Sequence, residues 1–116
     1  GAVSYSGVPV AANTMASHAT WTEAGVTNAP TYTGPRKTIA WSAASGRAKA
    51  PSSAPVFAMT ATPGTVKGVF IVFGSGAVST IDSTAGTLYS AGLFSGGDQA
   101  VVNTNTVTVT YSTSLT

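Results

Sequence analysis

The stretch TVKGVFIVFG, residues 65–74, is the most apolar part of the chain and decides its fold class. A short apolar run of this kind is typical of a buried β-strand. It is far shorter than the roughly 18 apolar residues that cross a membrane as a helix. We therefore predict that these residues form the central strand of a sheet in a protein that does not span a membrane.

Further strands are predicted on both sides of this run. The clearest is TVTVTYST (106–113), in which Val107, Val109 and Tyr111 alternate with hydroxyl side chains, as expected of a strand with one buried face. No window shows a helical repeat of apolar residues. Other predicted strands are residues 37–42, 54–60, 86–94 and 99–102. The pattern predicts an all-β fold, a single antiparallel β-sandwich or barrel-like domain over residues 36–116.

Residues 1–35 differ from the rest because their apolar residues are scattered and no periodicity is sustained. We predict an extended N-terminal arm that gains its order from what it lies against. The arm would attach the protein to a partner, and the domain after it would fold alone. The residues predicted to form this interface are Tyr5, Val8, Val10 and Trp21 in the arm, with Arg36 and Lys37 directly after it.

Charge is scarce in this chain. Charged residues make up 7%, the net charge is +2, and more than a quarter of the residues are Ser or Thr. Such a surface resists association poorly and suits a subunit that its neighbours cover. Five basic residues with no run longer than two make a nucleic-acid partner improbable.

Catalytic chemistry has little support in the sequence. His18 is the single histidine and lies in the irregular arm, where no second group would orient it. Asp82 and Asp98 lie in predicted turns, and Glu23 lies in the arm. A cation held by these scattered carboxylates is a minor alternative. We expect a protein that is not an enzyme, without cofactor or metal, in which Asp98 is a turn residue.

The aromatic residues allow two interpretations. As core residues, Trp41, Phe57, Phe70, Phe73 and Phe94 would fill the interior of the sheet, which is the interpretation that we favour. The alternative is a platform on one face of the sandwich on which sugars stack, formed by Trp21, Trp41, Tyr32, Tyr89 and Tyr111. Trp21 fits the core less well because its neighbours are polar, and an aromatic residue in an arm suits an anchor in a partner's pocket.

Residues 38–113 resemble a group of small structural proteins of tailed bacteriophages. The resemblance rests on IAWSAASGRAKAPSSAPVFAM, VKGVFIVFGSG and GTLYSAGLFSGGDQAVVNTNTVTVTYS, which together hold an aromatic strand that runs into AASG, a loop of small residues, an apolar strand, GTLY, and a closing Val/Thr strand. The chain departs from the group at residues 103–105, where Asn-Thr-Asn replaces a common Gly-Asp.

The resemblance implies a virion structural protein, a small β-domain assembled in the host cytoplasm and present in many copies. A capsid decoration or cement protein is the role we expect. Its partners would be the major capsid protein and neighbouring copies of itself, in a homo-oligomer for which a trimer is favoured. A tail-fibre or receptor-binding component is the alternative, and a carbohydrate-binding module is a further one.

Overall fold

The computed structural model describes residues 2–4 and 8–114, with side chains for residues 8–112. The described residues form nine β-strands and no helix, and so no helix that could cross a membrane. The strands are β1 (Ala2–Ser4), β2 (Glu23–Ala24), β3 (Ala48–Lys49), β4 (Val56–Ala58), β5 (Gly64–Phe73), β6 (Thr87–Leu93), β7 (Gln99–Val101), β8 (Thr106–Thr108) and β9 (Thr113–Ser114). The all-β prediction is confirmed, and all strand pairs are antiparallel.

The long strand β5 is the centre of the largest sheet. The strand order is β2-β1-β5-β6, and β7 pairs with the beginning of β5. Strands β6 and β7 follow one another along the same edge of β5, since between them the Phe94 N–H donates to the Lys67 carbonyl at 2.8 Å. Two small pairs, β4-β8 and β3-β9, complete the fold.

Buried side chains lie on both faces of the central sheet, because neighbouring residues of a strand point to opposite faces. Val69 points to the face that β4 and β8 cover, where Phe57, Val109 and others form one core cluster. Phe70 points to the other face, where it packs with Met15 and Trp21 in a second cluster. We call these two sides the Val69 face and the Phe70 face.

Residues before Arg36 are part of this body. Strand β1 pairs with β5, and Trp21 is only 1% exposed, with its ring 4.9 Å from that of Phe70. The prediction that Trp21 anchors the chain in a partner's pocket is therefore wrong. Pro30 and Tyr32 are also buried within the chain, so this part of the sequence supplies core side chains despite its lack of periodicity.

The closing segment is buried as its alternation predicts. Val109 is 4% exposed and Val107 and Tyr111 are half-buried, whereas the threonines between them are exposed. Only residues 106–108 of this segment form a ladder, with β4, and residues 113–114 pair with β3. The predicted face of this strand is confirmed.

Residues 37–42 do not form the predicted strand. They lead into a narrow ribbon, residues 40–52, in which Ser42 bonds Ala50 and Ser52 bonds Ala40 through their backbones. The ribbon turns between Ser45 and Ala48, and every side chain from 40 to 49 is exposed. We call it the 40–52 ribbon.

Candidate functional site

Glu23 and Arg36 form an ion pair inside the chain. Both side chains are 4% exposed. The Arg36 guanidinium donates to both carboxylate oxygens of Glu23, from Nε to Oε1 at 2.8 Å and from Nη2 to Oε2 at 2.6 Å. This two-pronged geometry is the strongest that an arginine and a carboxylate adopt.

The remaining polar groups of this pair are also satisfied. Arg36 donates to the carbonyls of Val78 and Ser83, at 3.2 and 2.8 Å, and Glu23 accepts the backbone N–H of Asp82 at 2.9 Å. The guanidinium carbon lies 5.2 Å from the centre of the Phe70 ring. The pair therefore fastens strand β2 to residues 78–83, and the prediction of Arg36 as an interface residue is wrong.

Tyr32 lies in the same interior. Its hydroxyl is buried and, among the described residues, has no hydrogen-bond partner. Burial, with the nearby Glu23 carboxylate, raises the pKa of Tyr32 far above its usual range. The phenol thus stays protonated at any physiological pH and offers no base.

The residues considered for catalysis are not brought together. The His18 ring stacks on that of Trp21, with centroids 4.0 Å apart, and its Nδ1 is 3.1 Å from the Trp21 carbonyl, to which an Nδ1–H can donate. The carboxylate of Asp82 accepts from the Thr27 hydroxyl at 2.7 Å. The carboxylate of Asp98 lies 3.6 Å from Lys67 Nζ. No three acidic or histidine side chains gather within the part of the chain that the structure describes.

Asp98 directly follows a tight turn. The Gly97 N–H donates to the Phe94 carbonyl at 3.1 Å, and Gly97 has a φ of 87°, which a glycine adopts at no steric cost. Asp98 lies between this turn and β7, which begins at Gln99, and its side chain is 53% exposed. The prediction that Asp98 belongs to the connection between two strands is confirmed.

Exposed aromatic side chains gather where β5 and β6 pass the 40–52 ribbon. Phe73 and Tyr89 are 51% and 56% exposed and meet edge to face, and Trp41 is 36% exposed. These three rings, with Ile71 and Lys49, line a shallow depression of about 340 Å³. We call these five residues the aromatic surface. The predicted core positions of Trp41 and Phe73 are therefore wrong, while Phe57 and Phe70 are buried as predicted.

Positive charge is concentrated beside the aromatic surface. Lys49 belongs to it, and Arg47 lies at the turn of the same ribbon. Within the described residues neither forms an ion pair, whereas Arg36 and Lys67 do. The 40–52 ribbon thus presents two cations without an ion-pair partner among the described residues, and one of them, Lys49, lines the aromatic surface.

The other predicted interface residues have mixed positions. Val8 and Val10 are 55% and 49% exposed and remain open to a partner. Lys37 is half-buried, donates from Nζ to the Thr33 carbonyl at 3.0 Å and lies over the ring of Tyr32. Tyr5 falls outside the described residues.

Comparison of the chain with protein-family models, with curated proteins and with solved structures finds no match.

Proposed function

We propose that this protein is a structural subunit of a tailed-bacteriophage particle, a capsid decoration protein that docks on the shell through its aromatic surface. The observation that carries the proposal is the exposure of Trp41, Phe73 and Tyr89 beside one another on a chain with few charges. The resemblance of residues 38–113 to phage structural proteins supports it. We also infer that the strand layers form a β-sandwich, with β4 and β8 packed over the Val69 face of the central sheet.

Aromatic side chains suit a surface that docks on another protein. Tyrosine and tryptophan supply much of the binding energy of interfaces because they bury large areas and lose little conformational freedom. Phe73 and Tyr89 pack edge to face at 5.9 Å and so hold each other in place before binding. A partner that covered the depression would contact rings that already hold their positions in the free protein.

The charges indicate which shell surface fits. Arg47 and Lys49 are exposed and lack a carboxylate partner among the described residues. An acidic rim on the capsid protein would complement these cations and steer the encounter. Attachment should therefore weaken as ionic strength rises, because exposed charges are screened within about 8 Å at physiological salt.

Reconstitution on particles tests this proposal. Purified protein is added to particles that lack it, and bound protein is measured after sedimentation. The variant Phe73→Ser/Tyr89→Ser should lose binding while its circular dichroism spectrum stays that of the native chain. The control is Val26→Ser/Val102→Ser, which removes two side chains that are 67% and 56% exposed and lie outside the aromatic surface. Equal binding by the two double variants would overturn the aromatic surface as the attachment site.

A carbohydrate-binding module is the second candidate, because exposed aromatic rings are what such a module presents to a sugar. The surroundings favour a protein partner instead. A sugar needs donors and acceptors for its hydroxyls, and the aromatic surface offers only Lys49 Nζ, the Tyr89 hydroxyl and the Trp41 indole N–H among its side chains. Binding of the native chain on a glycan array, lost in the Phe73→Ser/Tyr89→Ser variant, would favour the carbohydrate role.

A further inference from the structure

Strand β6 lies at the edge of the central sheet. It pairs with β5 along one side, and no described strand pairs with its other side. An unpaired edge presents a row of N–H and C=O groups that can pair with another chain. Proteins usually protect such edges with lysine, proline or a bulge. TLYSAGL holds neither a charge nor a proline, and its ladder irregularity lies at Tyr89, away from residues 90–93.

The backbone groups that face outward can be assigned from the register. The Phe94 N–H donates to Lys67 and therefore faces β5. Alternate residues of an antiparallel strand direct their groups to opposite edges, so those of Gly92 also face β5 and those of Ala91 and Leu93 face away from the sheet. The irregularity in the β5-β6 ladder lies at Tyr89, because Ile71 pairs with Ser90 and Val72 pairs with Leu88. Residues 90–93 therefore keep regular pairing.

The groove next to this strand is uncharged. It measures about 1060 Å³, is lined by β6, residues 99–101, residues 104–112 and Val69 of β5, and no acidic, basic or histidine side chain lines it among the described residues. Tyr111 crosses to Ser90 by a side-chain hydrogen bond of 3.1 Å. Neighbouring strands of a sheet lie about 4.8 Å apart and bond through their backbones. Tyr111 instead reaches Ser90 through side chains, which indicates that residues 109–112 are not paired with β6 as a neighbouring strand.

We propose that two copies of the chain pair antiparallel through β6, about a two-fold axis at Gly92. When two identical edge strands pair antiparallel, each offers the other the same backbone donors and acceptors. The two edges are therefore self-complementary, as a closed two-fold contact requires. Because β6 and the groove carry no charge, the approach of a second copy meets no like-charge repulsion there. This pairing does not depend on the virion role.

The two-fold axis at Gly92 satisfies the outward groups of both chains. Ala91 faces Leu93 of the second copy and Leu93 faces its Ala91, and each such pair exchanges N–H···O=C bonds. Both side chains point to the same face, because they are two residues apart. Gly92 faces its own counterpart across the axis. The contact closes after two copies and gives a dimer, whereas the phage resemblance implies a trimer.

A cysteine at the axis tests this geometry. Facing residues of a pair that is not hydrogen-bonded have Cα atoms about 4.5 Å apart, within the range of a disulfide. The chain has no cysteine, and a Cβ on Gly92 would meet nothing within 4 Å. With oxidised glutathione, which is reduced as the two thiols join, Gly92→Cys should form a disulfide-linked dimer. The matched control is Gly96→Cys, whose Cβ also meets nothing within 4 Å.

The expected result is that Gly92→Cys crosslinks at least about tenfold faster than Gly96→Cys, since pairing raises the local thiol concentration toward the millimolar range. Equal rates for the two variants would overturn the pairing. Sedimentation equilibrium supplies an independent readout on the native chain and on two variants. Leu93→Pro removes an outward N–H, which an edge strand tolerates, and should be monomeric. Leu93→Ala keeps that N–H and should still dimerise. A native chain that is monomeric or trimeric, or a dimer that survives Leu93→Pro, would refute the proposal.

Discussion

The substitution Glu23→Gln should destabilise the fold severely. It keeps the size of the side chain but removes the charge that neutralises Arg36, and both side chains are 4% exposed. Two guanidinium bonds at 2.8 and 2.6 Å and the bond from Asp82 N–H all end on this carboxylate. A neutral amide can accept at one atom only, so one donor loses its partner.

The magnitude follows from the burial. Removing one partner of a buried ion pair costs about 3–5 kcal/mol, because the other charge stays buried without compensation. That is a large part of the roughly 5–15 kcal/mol that stabilises a domain. At a urea dependence of about 2 kcal/mol per molar, the unfolding midpoint should fall by about 1.5–2.5 M.

Urea unfolding monitored by tryptophan fluorescence measures this loss, since Trp21 is 1% exposed in the folded chain. The control is Asp98→Asn, which breaks a 3.6 Å ion pair between Asp98, 53% exposed, and Lys67. An exposed pair contributes less than about 1 kcal/mol, so this variant should unfold close to the native midpoint. A Glu23→Gln variant as stable as Asp98→Asn would refute the role given to the buried pair.

Three further changes test the packing. Val109→Asp places a charge at a position that is 4% exposed and should abolish soluble folding. Its control, Thr108→Asp, lies on the exposed face and should fold normally. Equal yields of soluble protein from the two variants would contradict the assignment of the buried and exposed faces of this strand. A chain that begins at Arg36 lacks β1, β2 and the side chains of Met15 and Trp21 that cover the Phe70 face. It should therefore show no cooperative thermal transition by circular dichroism. A sharp transition would show that residues 36–116 fold alone. Gly68→Ala should destabilise strongly, because a Cβ there would overlap the Gly92 carbonyl, and an unchanged melting temperature would contradict that close approach.

The strands after residue 53 could be predicted because each has a local signal. The apolar run that became β5 and the alternation around Val109 depend only on neighbouring residues, and the structure has both where the sequence predicts them. The period of the side chains identifies such segments and the face of each that is buried.

The N-terminal part could not be predicted in the same way. His18 and Met15 contribute to the cover of Trp21, but Phe70, which packs against it, and residues 78–83, which cover Glu23, are far away in the sequence. The residues next to Trp21 and Glu23 carry no sign of these distant contacts. The polar residues next to Trp21 in the sequence therefore predict an exposed anchor, whereas its tertiary contacts bury it.

The sequence predicts the aromatic surface only in part, because Trp41 and Tyr89 belong to the alternative platform whereas Phe73 is predicted as a core residue. Phe73 belongs to the same apolar run as Phe70, and the sequence gives no reason to predict that one is buried and the other exposed. Phe70 is covered by Trp21, but Phe73 is the last residue of β5 and lies beside the exposed ribbon. Gly74 and Gly76, which follow Phe73, mark the end of the strand. They are the sequence signal that the residues covering β5 end there as well.

The most direct test of the proposed role is the copy number of the protein in gradient-purified phage particles, measured by quantitative mass spectrometry against the major capsid protein. A decoration protein should be present in hundreds of copies per particle and stay with emptied shells. A few to a few dozen copies that separate with tails would contradict shell decoration and place the protein in the tail, and absence from purified particles would contradict the virion role itself.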